Sequence, residues 1–274
     1  MRYLLKTPEA LVFLVSGWIA LCCNAGFWHV IAANAPAGTL PGLLYFASFL
    51  TLTIGLISLV MLLLAFGRVT RLILGVALVV AASAGYFTYR YGVLFDPGML
   101  TNIIETNSAE AYELLSVPII TTTLVAGMLP AVAIWAFPLA RRRLSVAFLH
   151  RGIALVIAMG LIAVPLLESQ KEIFSVARNH RELRHMIAPL NVISASYITI
   201  RERLETPAEH HSVALDASHA TASGHKPLVH VLIVGETARA ANFSLGGYSL
   251  DTNPELSRVD GIHFTEMHSC GTAT

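Results

Sequence analysis

The residues with the most chemistry to offer lie toward the end of the chain. Glu236 follows Gly235 and the stretch 228–234, a run of Leu, Val and Ile with one histidine, bounded on its other side by Pro227. Such a run reads as a buried parallel strand, and the carboxyl edge of a parallel sheet is where α/β folds assemble their sites. A carboxylate there suits a divalent cation; taken alone, a strand-end acid is more often a cap or a salt-bridge partner. The closing run Ser269-Cys270-Gly271-Thr272-Ala273-Thr274 supplies hydroxyls and a thiol. A threonine hydroxyl is a poor nucleophile at neutral pH until a metal or base activates it. Far upstream, Asn102, Thr106 and Glu110 recur at four-residue spacing. On a continuous helix they share a strip about 80° wide, which reads either as a ligand-holding face or as a solvated surface. His210, His211, His219 and His225 are too irregularly spaced to argue for a metal set.

The elements that must position these groups are apolar. The sequence is 55% hydrophobic and 13% charged, with a mean hydropathy of +0.66, which places it in a membrane. A net charge of +1 gives no global basic field, so nucleic acid is set aside as a partner. Five runs approach the ~20 residues that a bilayer core demands: 11–31, 43–66, 72–89, 117–139 and a shorter 152–167. The first is too long for a signal h-region and reads as an uncleaved anchor. Arg2 and Lys6, Arg68 and Arg71, and Arg141, Arg142, Arg143 and Arg151 fall on alternate connections, which the positive-inside rule assigns to the cytoplasm. The other connections hold Asp96, Glu105, Glu110 and Glu113 and face outward, as does everything after Glu168. Cys22 and Cys23 lie inside an apolar run, so no internal disulfide framework is evident.

In the second outer loop, Asp96-Pro97 is a helix start, because Asp caps free amides and Pro suits the first turn. One helix over 96–116 is expected from it. Two further helical segments, separated near Pro189, are expected between Glu168 and Leu204. Arg178, Arg181 and Arg184 recur there at three-residue spacing, on a face that meets anionic headgroups or stands in water. The stretch 205–226 lacks apolar period and reads as a linker. The organisation expected is therefore a transmembrane part, 1–167, a bridge and linker, 168–226, and the beginning of a soluble domain, 227–274. The last is far too short to bury a core of its own, so the chain is expected to be a piece of a longer protein.

Gly235-Glu236-Thr237-Ala238-Arg239, Asn242, Gly247-Tyr248, Asp251-Thr252 and the closing Cys270-Gly271-Thr272-Ala273-Thr274 together resemble the phosphoethanolamine transferases. That family includes the mobile colistin resistance enzymes and lies within the alkaline phosphatase and sulfatase superfamily. The resemblance runs along the whole chain, spans and outer helix included. It implies a five-helix transmembrane bundle followed by the start of an α/β/α alkaline-phosphatase-like periplasmic domain, in the bacterial inner membrane. Carried over by position, Glu236 matches a zinc-binding glutamate, and Thr274 matches a nucleophilic, zinc-bound threonine at the start of a helix. Asn102, Thr106 and Glu110 match the polar face that holds the phosphoethanolamine group. The implied reaction takes phosphoethanolamine from phosphatidylethanolamine to lipid A or the lipopolysaccharide core, through a phosphothreonine-type intermediate, and confers polymyxin resistance. The family's other zinc ligands, and a cysteine to pair with Cys270, would lie past Thr274, so this polypeptide by itself is expected to be inactive. Open beside this reading are a relative with another acceptor, such as a core sugar or periplasmic glucan, one using a glycerophosphate donor, and a non-catalytic membrane scaffold.

Overall fold

The computed structural model describes residues 7–136, 139, 143–204, 231, 233 and 239–264, with the side chains of Arg68 and Glu110 outside that description. The chain divides into two units, Met1–Glu209 and His210–Thr274.

The first unit is helical because its runs are apolar on every side, and a helix is the only open chain that satisfies its own backbone in hydrocarbon. Helix α1, Pro8–Cys22, starts on Thr7, whose hydroxyl accepts from the Ala10 amide at 2.9 Å, with Pro8 in the first turn. It runs into α2, Ala25–Ala33, across a 62° bend. The single span expected over 11–31 is thus a bent pair. Asn24 is buried at the break, and its amide donates to the Ile19 carbonyl at 2.9 Å beside the last helical bond, which the Cys23 N–H makes to the same oxygen at 3.0 Å. The bend rests on a glycine. A Cβ built on Gly85 would stand 1.7 Å from the Cys23 carbonyl oxygen, so the two backbones touch.

Helices α3, Thr39–Leu64, and α4, Thr70–Tyr91, follow as long spans. The loop after α4 carries α5, Pro97–Glu105, and α6, Ser108–Glu113. The next span, Val117–Ala136, is built from α7, Val117–Thr122, a π-helical turn, Thr123–Met128, and α8, Leu129–Ala136. At that wide turn the Ala126 carbonyl accepts from the Trp18 indole at 2.9 Å. Helix α9, Leu144–Glu168, is the last long span, and so the described helices supply four spans, or five with the bent pair.

Small residues fix the pairing. Gly55 of α3 lies against Ala158, Leu161 and Ile162 of α9. With Ser48 bonded to Ser169 at one end and Arg151 reaching Leu62 and Ala65 at the other, α3 and α9 run antiparallel. Gly127 sits 3.0 Å, by its would-be Cβ, from the Val79 backbone, and Ser83 meets Thr123 at 3.2 Å, so α4 pairs with α7 and α8 in the same way. Leu11, Val15, Ile19, Ile57, Met61, Leu74 and Leu78 fill the core between α1, α3 and α4.

Gly85→Ala should therefore drive a methyl group into the Cys23 carbonyl and cost at least the 1–3 kcal/mol typical of overpacking, about. Gly152→Ala, which meets nothing within 4 Å, should melt in detergent at or above the wild-type temperature. Equal melting of the two variants would remove the close contact at Gly85 from the account.

Candidate functional site

The polar group expected in the outer loop is held by α5 and α6. Asp96 caps α5 by accepting from the Met99 amide at 2.8 Å, and Pro97 opens its first turn. The single helix expected over 96–116 is broken at Thr106. That residue leaves helical geometry at φ −59°, ψ 128°, while its hydroxyl donates to the Asn102 carbonyl at 2.6 Å. The Thr106 amide still completes the ladder on the same carbonyl at 2.8 Å, and Asn107 then opens α6, its carbonyl accepting from the Ala111 amide at 3.0 Å. Asn102 and Thr106 are thus joined directly, through that carbonyl. Glu110 lies in α6, one helix further on, and its side chain is outside the described residues. The continuous strip inferred from four-residue spacing is therefore not formed as a strip; what the chain presents is two short helices joined at Thr106-Asn107. Ile103, Ile104, Tyr112, Leu114 and Leu115 are all exposed beside the polar residues, so this loop is amphipathic.

What positions α5 is the bridge. Helix α10, Gln170–Asn179, a 3-10 turn, Arg181–His185, and α11, Leu190–Leu204, lead out of the last span; α10 ends ten residues before Pro189, and α11 starts directly after it. Thr199 of α11 donates to the Pro97 carbonyl at 3.4 Å, and Arg203 pairs with Glu105 at 3.7 Å on the exposed surface. The Phe95 amide donates to the His185 carbonyl at 3.4 Å, and buried Asn191 donates to the same carbonyl at 2.9 Å. The bridge is fastened in turn to the bundle by Asn24. Its amide donates to the Ala188 carbonyl at 3.2 Å, and its oxygen accepts the Ala188 N–H at 2.8 Å. His180 meets Asn34, the residue that caps the end of α2, at 3.3 Å and Glu182 at 2.9 Å. A bond from its own backbone, followed by that from His180, holds the Glu182 carboxyl below the usual carboxylate range. Sequence reasoning passed over Asn24, Asn191, Thr199 and Arg203. Asn24 alone gave a signal, as an amide inside an apolar run.

In the second unit, Asn242, Gly247 and Asp251-Thr252 form one tied loop. The Ser244 amide is bonded by both Thr252 Oγ1 at 3.1 Å and Asn253 Oδ1 at 3.0 Å, and the Asn253 amide returns a bond to the Ser244 hydroxyl at 3.1 Å. Thr252 donates to the Asn242 carbonyl, and Gly247 takes a left-handed φ of 94° that a side chain would resist. Glu236, Cys270, Thr274 and the four histidines 210, 211, 219 and 225 lie outside the described residues, as does the expected strand apart from Val231 and Ile233. Among the described residues no group of three His, Cys, Asp or Glu side chains could hold a metal ion.

A polytopic helical bundle whose loop helix α5 is braced by α11 defines an integral membrane protein. Residues 229–274 match the Sulfatase family, so a sulfatase-like domain begins there. Residues 53–204 match the family Phosphoethanolamine transferase EptA/EptB, and the chain belongs to that family. It is 32% identical over 282 residues to the phosphoethanolamine transferase EptA of Salmonella typhimurium, covering 100% of this chain and 51% of that protein. It is 30% identical to the phosphatidylethanolamine transferase Mcr-1 of Escherichia coli, covering 98% of this chain and 50% of the relative. Among solved structures, the integral membrane lipooligosaccharide phosphoethanolamine transferase A of Neisseria meningitidis matches with a TM-score of 0.82 at 25% identity, over 90% of this chain and 46% of that one. The chain spans about half the length of the relatives it matches.

The cap at Asp96 sets where the loop helix begins. Asp96→Ala should speed hydrogen exchange of the Met99 amide by about 5-fold, the ~1 kcal/mol of a lost N-cap. Unchanged protection would show that α5 is held by α11 alone.

Proposed function

We propose that the full-length protein transfers phosphoethanolamine from phosphatidylethanolamine to lipid A or the lipopolysaccharide core, at the outer surface of a bacterial inner membrane. The observation that carries this reading is the match across 53–204, which takes in spans, outer-loop helices and bridge together. In this reading the arginine-bearing end of the bundle, at Arg71, Arg143 and Arg151, faces the cytoplasm, and α5, α6 and the second unit face the periplasm.

Thr274 acts as nucleophile. Its hydroxyl oxygen bonds to the phosphorus of the donor, the diacylglycerol oxygen leaves and takes a proton, and phosphoethanolamine remains on the threonine. An acceptor oxygen then bonds to the same phosphorus and frees the Thr274 oxygen. Glu236 and Thr274, both oxygen donors, would hold a zinc ion, which supplies charge to favour the ionised hydroxyl. Asn102, Thr106 and Glu110 hold the donor headgroup. An amide, a hydroxyl and a carboxylate suit a zwitterion bearing phosphate at one end and ammonium at the other. Both substrates are lipids, so a tether at the leaflet replaces encounter in bulk water with local concentration. Polymyxin resistance follows from the added ammonium group, which lowers the negative charge of the acceptor.

Three changes to the full-length protein, read by mass spectrometry of extracted lipid A, test this. Thr274→Ala should abolish the modification, and modified lipid A in that variant would take the threonine out of the nucleophile role. Glu110→Ala should leave membrane insertion intact and lower transfer at least about 10-fold, as expected for one lost charge-assisted contact. Chelation of zinc should stop transfer and readdition restore it. A product carrying phosphoethanolamine only on a core sugar would redirect the acceptor while keeping the reaction.

A further inference from the structure

We propose that the outward face of α10 is a lipid-docking surface, which takes the phosphates of anionic phospholipid headgroups from the leaflet beside it. Ile173 and Val176 turn inward, against Phe27, Ile31, Tyr45 and Phe49 of α2 and α3. On the opposite side of the helix stand Lys171, Phe174, Ser175 and Arg178, all exposed, lining with Gln170 and Asn179 an open recess of about 470 Å³. Phe174 is 57% exposed between the two cations. Among the described residues neither Lys171 nor Arg178 makes an ion pair or hydrogen bond.

The depth of the helix says what this face meets. Ser169, just before α10, lies 2.8 Å from Ser48 by their hydroxyls. Ser48 is some nine residues into α3, so α10 leaves the last span about 13 Å short of the outer tip of α3, at 1.5 Å per residue. Those outermost turns of α3 expose Leu40, Leu43 and Leu44, side chains that belong against lipid. Helix α10 therefore runs alongside lipid-facing turns and not above them, and at its far end His180 reaches Asn34, beside the tip of α2. Two long cationic side chains flanking an aromatic ring, at this level, form the interfacial pattern in which the ring enters the acyl boundary and the cations reach the phosphates. Charge complementarity selects lipids with net negative charge over the zwitterionic majority. This inference needs only the spanning helices and stands whether or not the proposed transfer reaction does.

The test is lipid retention. Full-length protein is reconstituted in phosphatidylethanolamine vesicles doped with phosphatidylglycerol and released directly into a native mass spectrometer. The wild type should carry phosphatidylglycerol adducts. Lys171→Gln and Arg178→Gln should each lower them about 5-fold and the pair about 25-fold, the worth of one cation each near an anionic surface. The charge-preserving pair Lys171→Arg with Arg178→Lys, and Arg258→Gln on the exposed surface of the second unit, should keep them. Undiminished adducts in the Gln pair overturn the proposal, and so does equal loss in Arg258→Gln. Displacement of the lipid by inorganic phosphate alone would overturn it as well, since that marks a site for a free anion.

Discussion

The amide of Asn24 is 1% exposed, deep in a helical bundle, and its side-chain hydrogen bonds all go to backbone. In hydrocarbon an unsatisfied peptide group costs several kcal/mol, roughly, because no water can relieve it. At the 62° break in the first span Asn24 adds a bond to the Ile19 carbonyl on one side and answers for both polar groups of Ala188 on the other. The bend and the bridge therefore hold or fail together. From Ala188 the constraint passes to His185, Phe95 and the start of α5, so the loop of α5 and α6 inherits its position from a side chain in the first span.

At the opposite end Arg151 does comparable work with charge. Its guanidinium, buried in α9, donates to the Leu62 and Ala65 carbonyls at the end of α3, lies over the Phe66 ring at 5.2 Å, and reaches Glu9 of α1 at 3.8 Å. The last carbonyls of a helix have no partners of their own and carry partial negative charge, so a buried cation is well placed there. Three helices are joined by one residue. A buried ion pair is weak evidence for net stability, but intramembrane charges are rare, and this one fixes which ends of α1, α3 and α9 stand level.

The spans were legible because hydropathy over a bilayer's thickness is a long, redundant signal. The bend was not, since one amide among apolar neighbours is a small perturbation in a window of that size, and its partner Ala188 lies 164 residues away. The outer loop failed for a different reason. Four-residue spacing places Asn102, Thr106 and Glu110 on one face only if the helix is continuous, and the chain leaves helical geometry at Thr106. Glu236 and Thr274 came from motif resemblance and from the chemistry of a strand edge; spacing alone would have left both as ordinary polar residues.

The π-helical turn at Thr123–Met128 accommodates an extra residue within one span. Everything beyond it is consequently swivelled by about 100° from the azimuth an unbroken α-helix would give. Trp135, near the arginine-bearing end, thereby faces across the shallow channel that Arg71, Gly75 and Val79 share with α8. A single widened coil, anchored by the indole of Trp18, thus decides the bearing of a side chain two turns farther down the same helix.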